Sequence, residues 1–404
     1  MDATKSLKRK SPDSSSSSIS PFPFNELNQD LLEKVLSRLP PSSFFRLRSV
    51  CKSWNNISSS TTFHLACSEV QSRDPWFLMV GQDLNQSIVF DTSDGSWKNL
   101  TYPNFLQQTQ FSKSIPVASS GGLVCFRSST GLFVVCNPIA GACFEIPNSG
   151  QACEGKTLNA IAMSSSTKNL SSYRIVQVLG EFPNLSVRVF DSEKKQWENE
   201  FLLRKSNVGS VEDEPETMYF LSKAGDVVAT NMQRSPSKQY SSVLIKEAND
   251  EEVVYFLSQS GTVLACNLAL KTFNEYPRLL PIYFEYSIDV VECNGELLVI
   301  VLSDFLETAS LRIWKFSKEE KSWLQVAAMP PSLSHDFFGK KADINCVGFG
   351  SSILICISSS EFSSYVMFNL VDNEWVELPK CFVNGRAKEF MSAFSFEPRI
   401  EISV

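Results

Sequence analysis

The stretch GQACEGKT, residues 150–157, fits the phosphate-binding pattern G-x-x-x-x-G-K-[ST]. In that chemistry Lys156 contacts nucleotide phosphates, Thr157 holds a magnesium ion, and Asp304, after an apolar run, is a candidate second magnesium ligand. The motif requires a helix directly after the loop. The residues that follow are Ser-rich and run into another strand pattern. We therefore interpret the segment as a loop between two repeats, and nucleotide binding stays the less favoured alternative.

Other catalytic chemistry finds little support in the residue types. The chain has only two histidines, His64 and His335, which disfavours His-based zinc sites, copper oxidases and Ser-His or Cys-His catalysis. The acidic run VEDEPE, residues 211–216, is more typical of a solvated loop than of a paired-carboxylate site, and His335 falls in a surface loop. The sequence predicts no catalytic residue, metal or cofactor, so we expect a protein that is not an enzyme.

Net charge and hydropathy disfavour further classes of protein. The net charge is −7, with 43% hydrophobic and 20% charged residues, which indicates a soluble globular protein and disfavours direct nucleic-acid binding. No apolar run reaches the roughly 20 residues of a membrane helix. The sequence predicts neither a membrane segment nor a signal peptide.

Cysteine usage and the N-terminal composition bear on the compartment. The 11 cysteines contain no C-x-x-C pair, a pattern that fits free thiols in the nucleus or cytoplasm. Residues 1–22 form a Ser-rich tail for which we expect disorder. Its run Lys8-Arg9-Lys10 is either a weak nuclear signal or a solvated charge cluster.

Short helices are predicted between residues 24 and 65. A first apolar stripe at helical spacing begins after Asn28, a suitable N-cap, and stops at Pro40 and Pro41. Ser42 or Ser43 is predicted to cap a second helix, and a third begins near Thr61. The stripe of the first helix consists of Leu27, Leu31, Leu32, Val35, Leu36 and Leu39. The second helix places Phe44, Phe45, Leu47, Val50, Cys51 and Trp54 on its apolar positions.

From Pro75 onward the pattern changes to short strands separated by turn residues. A unit recurs in which an apolar strand, an Asn or Asp and a polar turn lead to an aromatic residue. A period near 50 residues is that of kelch propeller blades, and the aromatics are predicted to pack between blades. The recurring aromatics are Trp97, Phe144, Trp197, Phe273, Trp323 and Trp375.

The interval from Trp197 to Phe273 is longer than the others and could hold one more copy. Residues 218–232 repeat the pattern of 254–268, with Tyr240 in the place of the aromatic. Counting this copy predicts about seven blades, and six stays open. Residues 394–402 are expected to close the ring by pairing with the blade that begins near Pro75. Two β-sandwiches are the alternative architecture.

The region from Phe24 to Phe63 resembles an F-box. Its motifs are RLPP at Arg38–Pro41 and VCKSW at Val50–Trp54. One departure is Leu27-Asn28, where the family has Leu-Pro, and loss of a proline contact there is expected to weaken docking somewhat. With a kelch-like ring ending in FEPR, the chain resembles the plant F-box/kelch-repeat family. This implies three regions: a tail (1–22), a three-helix F-box (23–68) and a mainly β, kelch-type propeller (75–404).

The resemblance also implies a function. F-box proteins are substrate receptors of cullin-type ubiquitin ligases: the F-box docks a Skp-type adapter, through it a cullin, and the second domain holds a protein substrate. Such a subunit performs no bond chemistry and raises the local concentration of its target. A scaffold role outside a cullin ligase remains open. The residues expected to bind the adapter are Leu27, Leu31, Leu32, Val35, Leu36, Leu39, Pro40, Phe44, Phe45, Val50, Cys51 and Trp54.

Overall fold

The computed structural model describes a small helical domain followed by a β-propeller. The described residues are 28–81, 87–100, 111, 113–147, 156–166, 169, 171–206, 220–221, 227–228, 238–247, 249–258, 260–280, 286–305 and 308–404. The tail 1–22, Leu27 and the acidic run 211–216 lie outside them. The helices are α1 (Gln29–Ser37), α2 (Pro41–Leu47), α3 (Lys52–Ile57), α4 (Thr61–Ser68) and α5 (Pro331–Ser334), which a 3-10 turn at His335–Phe337 extends.

The first two helix starts follow from their capping residues. The Asn28 side chain accepts a hydrogen bond from the backbone N–H of Asp30 at 3.3 Å, which confirms the predicted N-cap. The second helix begins at Pro41, with Pro40 as its N-cap, so the predicted cap at Ser42 or Ser43 is wrong. Proline suits the first helical position because the N–H that it lacks has no intrahelical partner there.

The predicted second helix is in fact two helices, so the domain has four helices where three were expected. Cys51 is extended, with φ −155° and ψ 162°, and separates α2 from α3. The Ser49 hydroxyl donates to the carbonyl of Arg46 at 2.7 Å, in addition to the backbone N–H of Ser49 at 3.2 Å, at the end of the helix. This break turns Val50 and Cys51 out of the helical register in which the sequence pattern placed them.

Six four-stranded antiparallel sheets form the blades of the propeller. Blade one is β1 (Trp76–Gly81), β2 (Ser87–Asp91), β3 (Ser96–Leu100) and β30 (Phe390–Phe396); blade two is β4 (Ile115–Ser120), β5 (Leu123–Arg127), β6 (Phe133–Cys136) and β7 (Cys143–Glu145); blade three is β8 (Leu158–Ser165), β9 (Tyr173–Glu181), β10 (Asn184–Asp191) and β11 (Gln196–Trp197), with β12 (Phe201–Leu202) beside β10.

The remaining blades repeat this order. Blade four is β16 (Ser242–Lys246), β17 (Glu252–Leu257), β18 (Val263–Asn267) and β19 (Thr272–Glu275), with β13 (Arg204–Lys205) on its edge; blade five is β20 (Tyr286–Cys293), β21 (Glu296–Phe305), β22 (Thr308–Ser317) and β23 (Ser322–Ala328); blade six is β24 (Asp343–Phe349), β25 (Ser352–Ser358), β26 (Ser363–Asn369) and β27 (Glu374–Glu377). Two hairpins stand apart: β14 (Phe220–Leu221) with β15 (Val227–Val228), and β28 (Cys381–Val383) with β29 (Arg386–Lys388).

The innermost strands of the six blades contact one another around a closed ring in the order β30, β4, β8, β16, β20, β24. β8 and β16 are direct neighbours, joined by a parallel bridge between Ile161 and Ser241, and leave no place for a blade between them. The count of about seven is therefore corrected to six. Strand β30 pairs with β1, which confirms closure by the C-terminal region, although of the predicted residues 394–402 only 394–396 lie in the strand. Of the expected extra copy, residues 218–232, the described part is the short hairpin β14–β15.

The six repeating aromatics each lie on the outermost strand of a different blade. Six buried apolar clusters fill the spaces between neighbouring blades and include these rings, which confirms the predicted inter-blade packing. Three indoles also donate a hydrogen bond to a proline carbonyl in the chain that leaves the preceding blade. These pairs are Trp97 with Pro379 at 2.9 Å, Trp197 with Pro147 at 2.8 Å and Trp323 with Pro277 at 2.7 Å.

The cysteines depart from expectation at one place. Cys136 and Cys143 are register partners on β6 and β7 and form a disulfide around the turn between these strands. The prediction of free thiols is wrong for this pair. The other eight described cysteines are free, and seven of them are buried.

Candidate functional site

The described residues of the phosphate-loop alternative are not arranged as in a nucleotide site. The chain after Thr157 enters strand β8 at Leu158, where the motif requires a helix. Lys156 Nζ lies 2.5 Å from Glu200 Oε1, and Asp304 accepts a hydrogen bond from the N–H of Gly339 at 3.2 Å. Residues 150–155 lie outside the described chain. The nucleotide-binding alternative is therefore wrong, because the motif is followed by a strand and not by a helix.

A cavity of about 260 Å³ lies among the innermost strands, on the axis of the ring. Its buried ammonium, Lys238 Nζ, donates to the carbonyl of Cys346 at 2.5 Å and lies 3.9 Å from Asp289 Oδ2. Asp289 in turn accepts from the N–H of Cys346 at 2.7 Å. These groups satisfy one another across the β20–β24 contact, so the geometry indicates a structural role.

The described chain holds no group of three or more His, Cys, Asp or Glu side chains placed to bind a metal ion. None of its helices is long and apolar enough to cross a membrane.

The helical domain has its own small core. Phe44 and Phe63 stack with ring centroids 4.8 Å apart and an interplanar angle of 24°, which joins α2 to α4. Burial raises the pKa of the Cys67 thiol to about 12, so this sulfur behaves as a small apolar side chain. The buried members of this core are Leu32, Leu36, Phe44, Ile57, Phe63 and Cys67.

Four large apolar side chains of the helical domain stay outside this core. Leu31 and Val35 are 55% and 54% exposed, and their i, i+4 spacing places them on one face of α1. Val50, at the break between α2 and α3, is 65% exposed, and Leu65 on α4 is 67% exposed. Leu31, Val35 and Val50 lie in the part of the domain that the sequence motifs assign to docking, and these three exposed side chains present an apolar surface suited to a protein partner.

The surroundings of Val50 are basic. Arg46, Arg48 and Lys52 lie within four residues of it, and Arg46 and Lys52 are exposed. Arg48 Nε donates to Asn55 Oδ1 at 3.2 Å, and its guanidinium carbon lies 5.7 Å from the centre of the Phe45 ring. Arg48 therefore stabilises the turn between α2 and α3, where Val50 and Cys51 are exposed to solvent.

The structure divides the predicted adapter-binding residues by exposure. Leu32, Leu36 and Phe44 are buried and can act only by shaping the domain. The exposed members are Leu31, Val35, Pro40, Val50 and Cys51. Leu39, Phe45 and Trp54 are half-buried against the core, and Leu27 lies outside the described residues. Leu65 is equally exposed but was absent from the prediction because it lies past the F-box motifs.

A buried carboxylate, that of Glu33, joins α1 to α4 in the helical domain. Glu33 Oε1 accepts hydrogen bonds from Ser60 Oγ at 3.0 Å and Gln29 Nε2 at 3.1 Å. The same Ser60 hydroxyl caps α4 by accepting from the N–H of Phe63. Burial opposes ionisation of Glu33, but hydrogen bonds from Thr62, Gln29 and Ser60 outweigh it and hold its pKa below the usual 4.5.

Replacing Glu33 with Gln is expected to lower the free energy of unfolding at pH 7 by about 1 to 2 kcal/mol, because a charge-assisted network is lost. A carboxyl whose pKa is lowered by folding stabilises the protein above its unfolded pKa and ceases to do so as the pH falls through its folded pKa. The difference between wild type and variant should therefore shrink on acidification. Denaturant unfolding at pH 7 and pH 3 measures this.

The control is Glu69→Gln at an exposed position of the same domain, which should leave the free energy of unfolding at pH 7 close to that of wild type. If Glu33→Gln lowers the free energy of unfolding equally at both pH values, the contribution does not come from the ionised carboxylate of Glu33.

The helical domain packs against the propeller through a small groove. Phe63 and Cys67 line it together with Ile139, Pro398 and Ile400, and Ile400 packs against the core of the helical domain. Ile139 belongs to the turn that the Cys136–Cys143 disulfide encloses. The side of the propeller that carries the turns between third and fourth strands therefore faces the helical domain, and Arg46 Nη2 lies 3.7 Å from Asp94 in another such turn.

Arg399 is the centre of this joint and was not among the predicted site residues. Its side chain is 1% exposed and donates to Glu397 at 2.8 Å and Glu401 at 3.0 Å. Its Nη2 donates to the carbonyls of Val70 and Gln71, at 3.0 and 3.1 Å, in the chain that leaves α4. One guanidinium thus connects the C-terminal segment to the linker between the domains.

Two further polar side chains complete the joint. Arg73 donates to the carbonyls of Ser37 at 2.8 Å and Leu39 at 3.3 Å, at the end of α1. Asn137 Nδ2 donates to the carbonyls of Arg399 at 2.8 Å and Ile402 at 2.9 Å. The signal available in the sequence was the alternation of Arg399 with Glu397 and Glu401 inside an otherwise apolar segment.

Both domains match models of known protein families. Residues 24–65 match the family model described as F-box domain, and residues 89–334 match the model described as KIB1-4 beta-propeller. The second match alone spans more than half of the chain.

Several similar proteins are named as F-box proteins. The chain is 48% identical to "F-box only protein 13" of Arabidopsis thaliana, over 98% of this chain and 90% of that protein. It is 26% identical to "F-box only protein 6" of the same organism, over 90% and 72%. It is 22% identical to the Arabidopsis thaliana "F-box/kelch-repeat protein At5g43190", over 97% and 91%. The resemblance drawn from the sequence is confirmed, while the kelch type of the repeats stays a prediction.

Proposed function

Since the chain belongs to the F-box proteins whose second domain is a KIB1-4 β-propeller, we propose that it is the substrate-recognition subunit of a Skp–cullin–F-box ubiquitin ligase. In this role the helical domain docks a Skp-type adapter and through it a cullin. The propeller binds a protein substrate for ubiquitination and degradation. The subunit contributes proximity and orientation, and the bond chemistry belongs to its partners.

One observation carries the proposal: apolar side chains are exposed on a folded F-box. Leu31, Val35 and Val50 each leave more than half of their surface in solvent, although Leu32, Leu36 and Phe44 beside them are buried. Exposed apolar area contributes roughly 25 cal/mol per Å² when a partner covers it. These three side chains are the adapter contacts that we assign.

The joint between the domains supports the same role. Arg399 ties the C-terminal segment to the linker after α4, and Arg73 of that linker ties it to the end of α1, both through backbone carbonyls. A receptor that presents a substrate to an enzyme at a distance benefits from a fixed angle between its two domains. Ile400, which packs against the core of the helical domain, adds an apolar contact to this joint.

The proposal is tested with the purified full chain and a purified Skp-type adapter. The variant Leu31→Asp/Val35→Asp should lose at least about tenfold in adapter affinity, because each change places a charge in an apolar contact. Both positions are exposed, so thermal unfolding should match wild type. The matched control is Leu65→Asp, equally exposed on α4 and outside the predicted set, which should bind normally.

Failure of the wild-type chain to bind the adapter would refute the proposed docking role of the F-box. Equal loss in the Leu31/Val35 and Leu65 variants would show that the docking face is misplaced. Reconstitution with a cullin and a ubiquitin-transfer assay then separates a ligase subunit from a scaffold that binds the adapter alone.

A further inference from the structure

The cavity on the axis of the propeller is formed by the innermost strands of all six blades. Its volume is about 260 Å³. This is the room of about eight or nine water molecules at roughly 30 Å³ each, and less than the ~300 Å³ at which sites for drug-sized ligands begin. Small residues such as Ala118, Gly121, Ala162 and Gly348 are part of the wall and leave this space between the strands.

The wall of the axial cavity offers hydrogen-bond donors and acceptors together. Each innermost strand is an edge strand of its sheet, and an edge strand presents unpaired backbone N–H and C=O groups. In the described chain, the single isolated bridge between two of these strands joins Ile161 to Ser241. The hydroxyls of Ser119 and Ser241, which also line the cavity, can each donate and accept. Such a wall suits a ligand whose own groups do both.

The buried ammonium of Lys238 has donor capacity that its structural contacts do not use. The group carries three protons. The carbonyl of Cys346 accepts one of them at 2.5 Å, whereas Asp289 Oδ2, at 3.9 Å, is beyond hydrogen-bond distance. Two protons therefore have no acceptor among the described residues. Because Lys238 lines the cavity, a ligand oxygen there can accept from it.

A second polar group in the same wall lacks a partner. The Ser242 hydroxyl is buried and makes no hydrogen bond with the described residues. Buried polar groups are nearly always hydrogen-bonded, and leaving one unsatisfied costs about 1 to 3 kcal/mol. Two incompletely satisfied groups, Lys238 and Ser242, thus belong to one cavity wall, and both favour a ligand that brings hydrogen-bonding oxygens.

The charges around the cavity disfavour an anionic ligand. Among the lining residues the charged side chains are Lys238 and Glu292, and Lys238 already faces the carboxylate of Asp289. One ammonium is therefore set against two carboxylates. A cationic ligand would in turn meet the ammonium. The ring of Phe394, whose centre lies 5.4 Å from Lys238 Nζ, adds an apolar surface on which C–H groups can pack.

We propose that the axial cavity binds a neutral, hydroxyl-rich molecule of the size of a monosaccharide or a cyclic polyol. Its oxygens accept hydrogen bonds from Lys238 and Ser242, its hydroxyls bond to the edges of the innermost strands, and its C–H face packs on Phe394. Because all six blades contribute to the wall, the bound molecule stabilises the closed ring. This site is separate from the exposed F-box side chains that we assign to the adapter.

The test titrates the purified full chain with four neutral probes: myo-inositol, D-glucose, D-galactose and D-xylose. Saturation-transfer-difference NMR and isothermal titration calorimetry detect binding. We expect at least one probe to bind saturably, with a Kd in the millimolar range or tighter, and to raise the unfolding temperature in step with its occupancy. A rise in unfolding temperature that never saturates is the general effect of an excluded osmolyte. Sodium acetate and sodium phosphate should not compete with the bound probe.

Two variants locate the bound probe. Ser119→Leu places a larger side chain in the cavity and should weaken binding at least about tenfold. Lys238→Met/Asp289→Asn removes the two charges together and should also weaken binding at least about tenfold, because the ligand loses its charged donor. An Asn side chain at position 289 can still accept from the N–H of Cys346. The control Ser53→Leu changes an exposed serine of α3 and should bind like wild type.

Thermal unfolding without a probe checks that each variant is folded. The inference is overturned if none of the four probes binds saturably, if acetate or phosphate displaces the bound probe, or if folded Ser119→Leu binds as tightly as wild type. Adapter binding is measured in the same preparations. Loss of adapter binding with probe binding intact contradicts the proposed ligase role alone, and the reverse result contradicts the axial site alone.

Discussion

Arg399→Ala should lower the free energy of unfolding by about 3 to 5 kcal/mol and loosen the F-box from the propeller. The guanidinium is 1% exposed and faces Glu397 and Glu401, whose carboxylates would lose their buried counter-ion. The carbonyls of Val70 and Gln71 would lose their donor at the same time. Denaturant unfolding gives the free energy, and amide hydrogen exchange in residues 69–74 reports the loosened linker.

The matched control removes all three charges together, as Arg399→Met, Glu397→Gln and Glu401→Gln. Replacing a buried ion pair with neutral groups costs less than removing one partner. The triple variant should therefore be more stable than Arg399→Ala. The role of the buried charge is disproved if the triple variant is the less stable of the two, or if Arg399→Ala unfolds like wild type.

Gly348→Ala is expected to destabilise the propeller by about 3 kcal/mol, the upper range for overpacking. Gly348 lies on β24, and a Cβ atom there would overlap the carbonyl oxygen of Glu292 on β20. Both are innermost strands of neighbouring blades, so the methyl group would push two blades apart at the axis. Thermal and denaturant unfolding measure the loss.

Gly295→Ala is the control for this prediction. Gly295 has φ +77°, which strains an alanine, but a Cβ there meets no atom within 4 Å. Its replacement should cost about 1 kcal/mol. Ranking the two glycines by backbone angle alone predicts the opposite order. A larger loss for Gly295→Ala would show that the inner strands have room to shift.

The sequence predicted the elements whose signals are local. Asn28 is the N-cap, and the recurring aromatics fall one to a blade because each repeat is a complete supersecondary unit. The number of blades was not predictable in this way. Residues 218–232 carry the same apolar pattern as a true blade strand, and only contacts around the whole ring, such as that of β8 with β16, decide which copies take part.

The candidate docking site was predictable as a region and not residue by residue. Leu31 and Leu32 are identical in type and adjacent, yet α1 packs against α4 so that one is exposed and the other buried. Arg399 was missed for a related reason. Its partners at Val70 and Gln71 are more than 300 residues away, and they are backbone carbonyls, which leave no trace in residue type.

The closing strand β30 and the segment that follows it have a consequence for synthesis. The ribosome releases the F-box and five complete blades before residues 390–402, which close blade one and seat Arg399. Until then the nascent chain has an open ring and an F-box without its joint. A premature stop codon shortly before residue 390 would therefore produce a chain with an open blade one and an untethered F-box. Such a chain exposes apolar surface, which quality-control chaperones and proteases recognise.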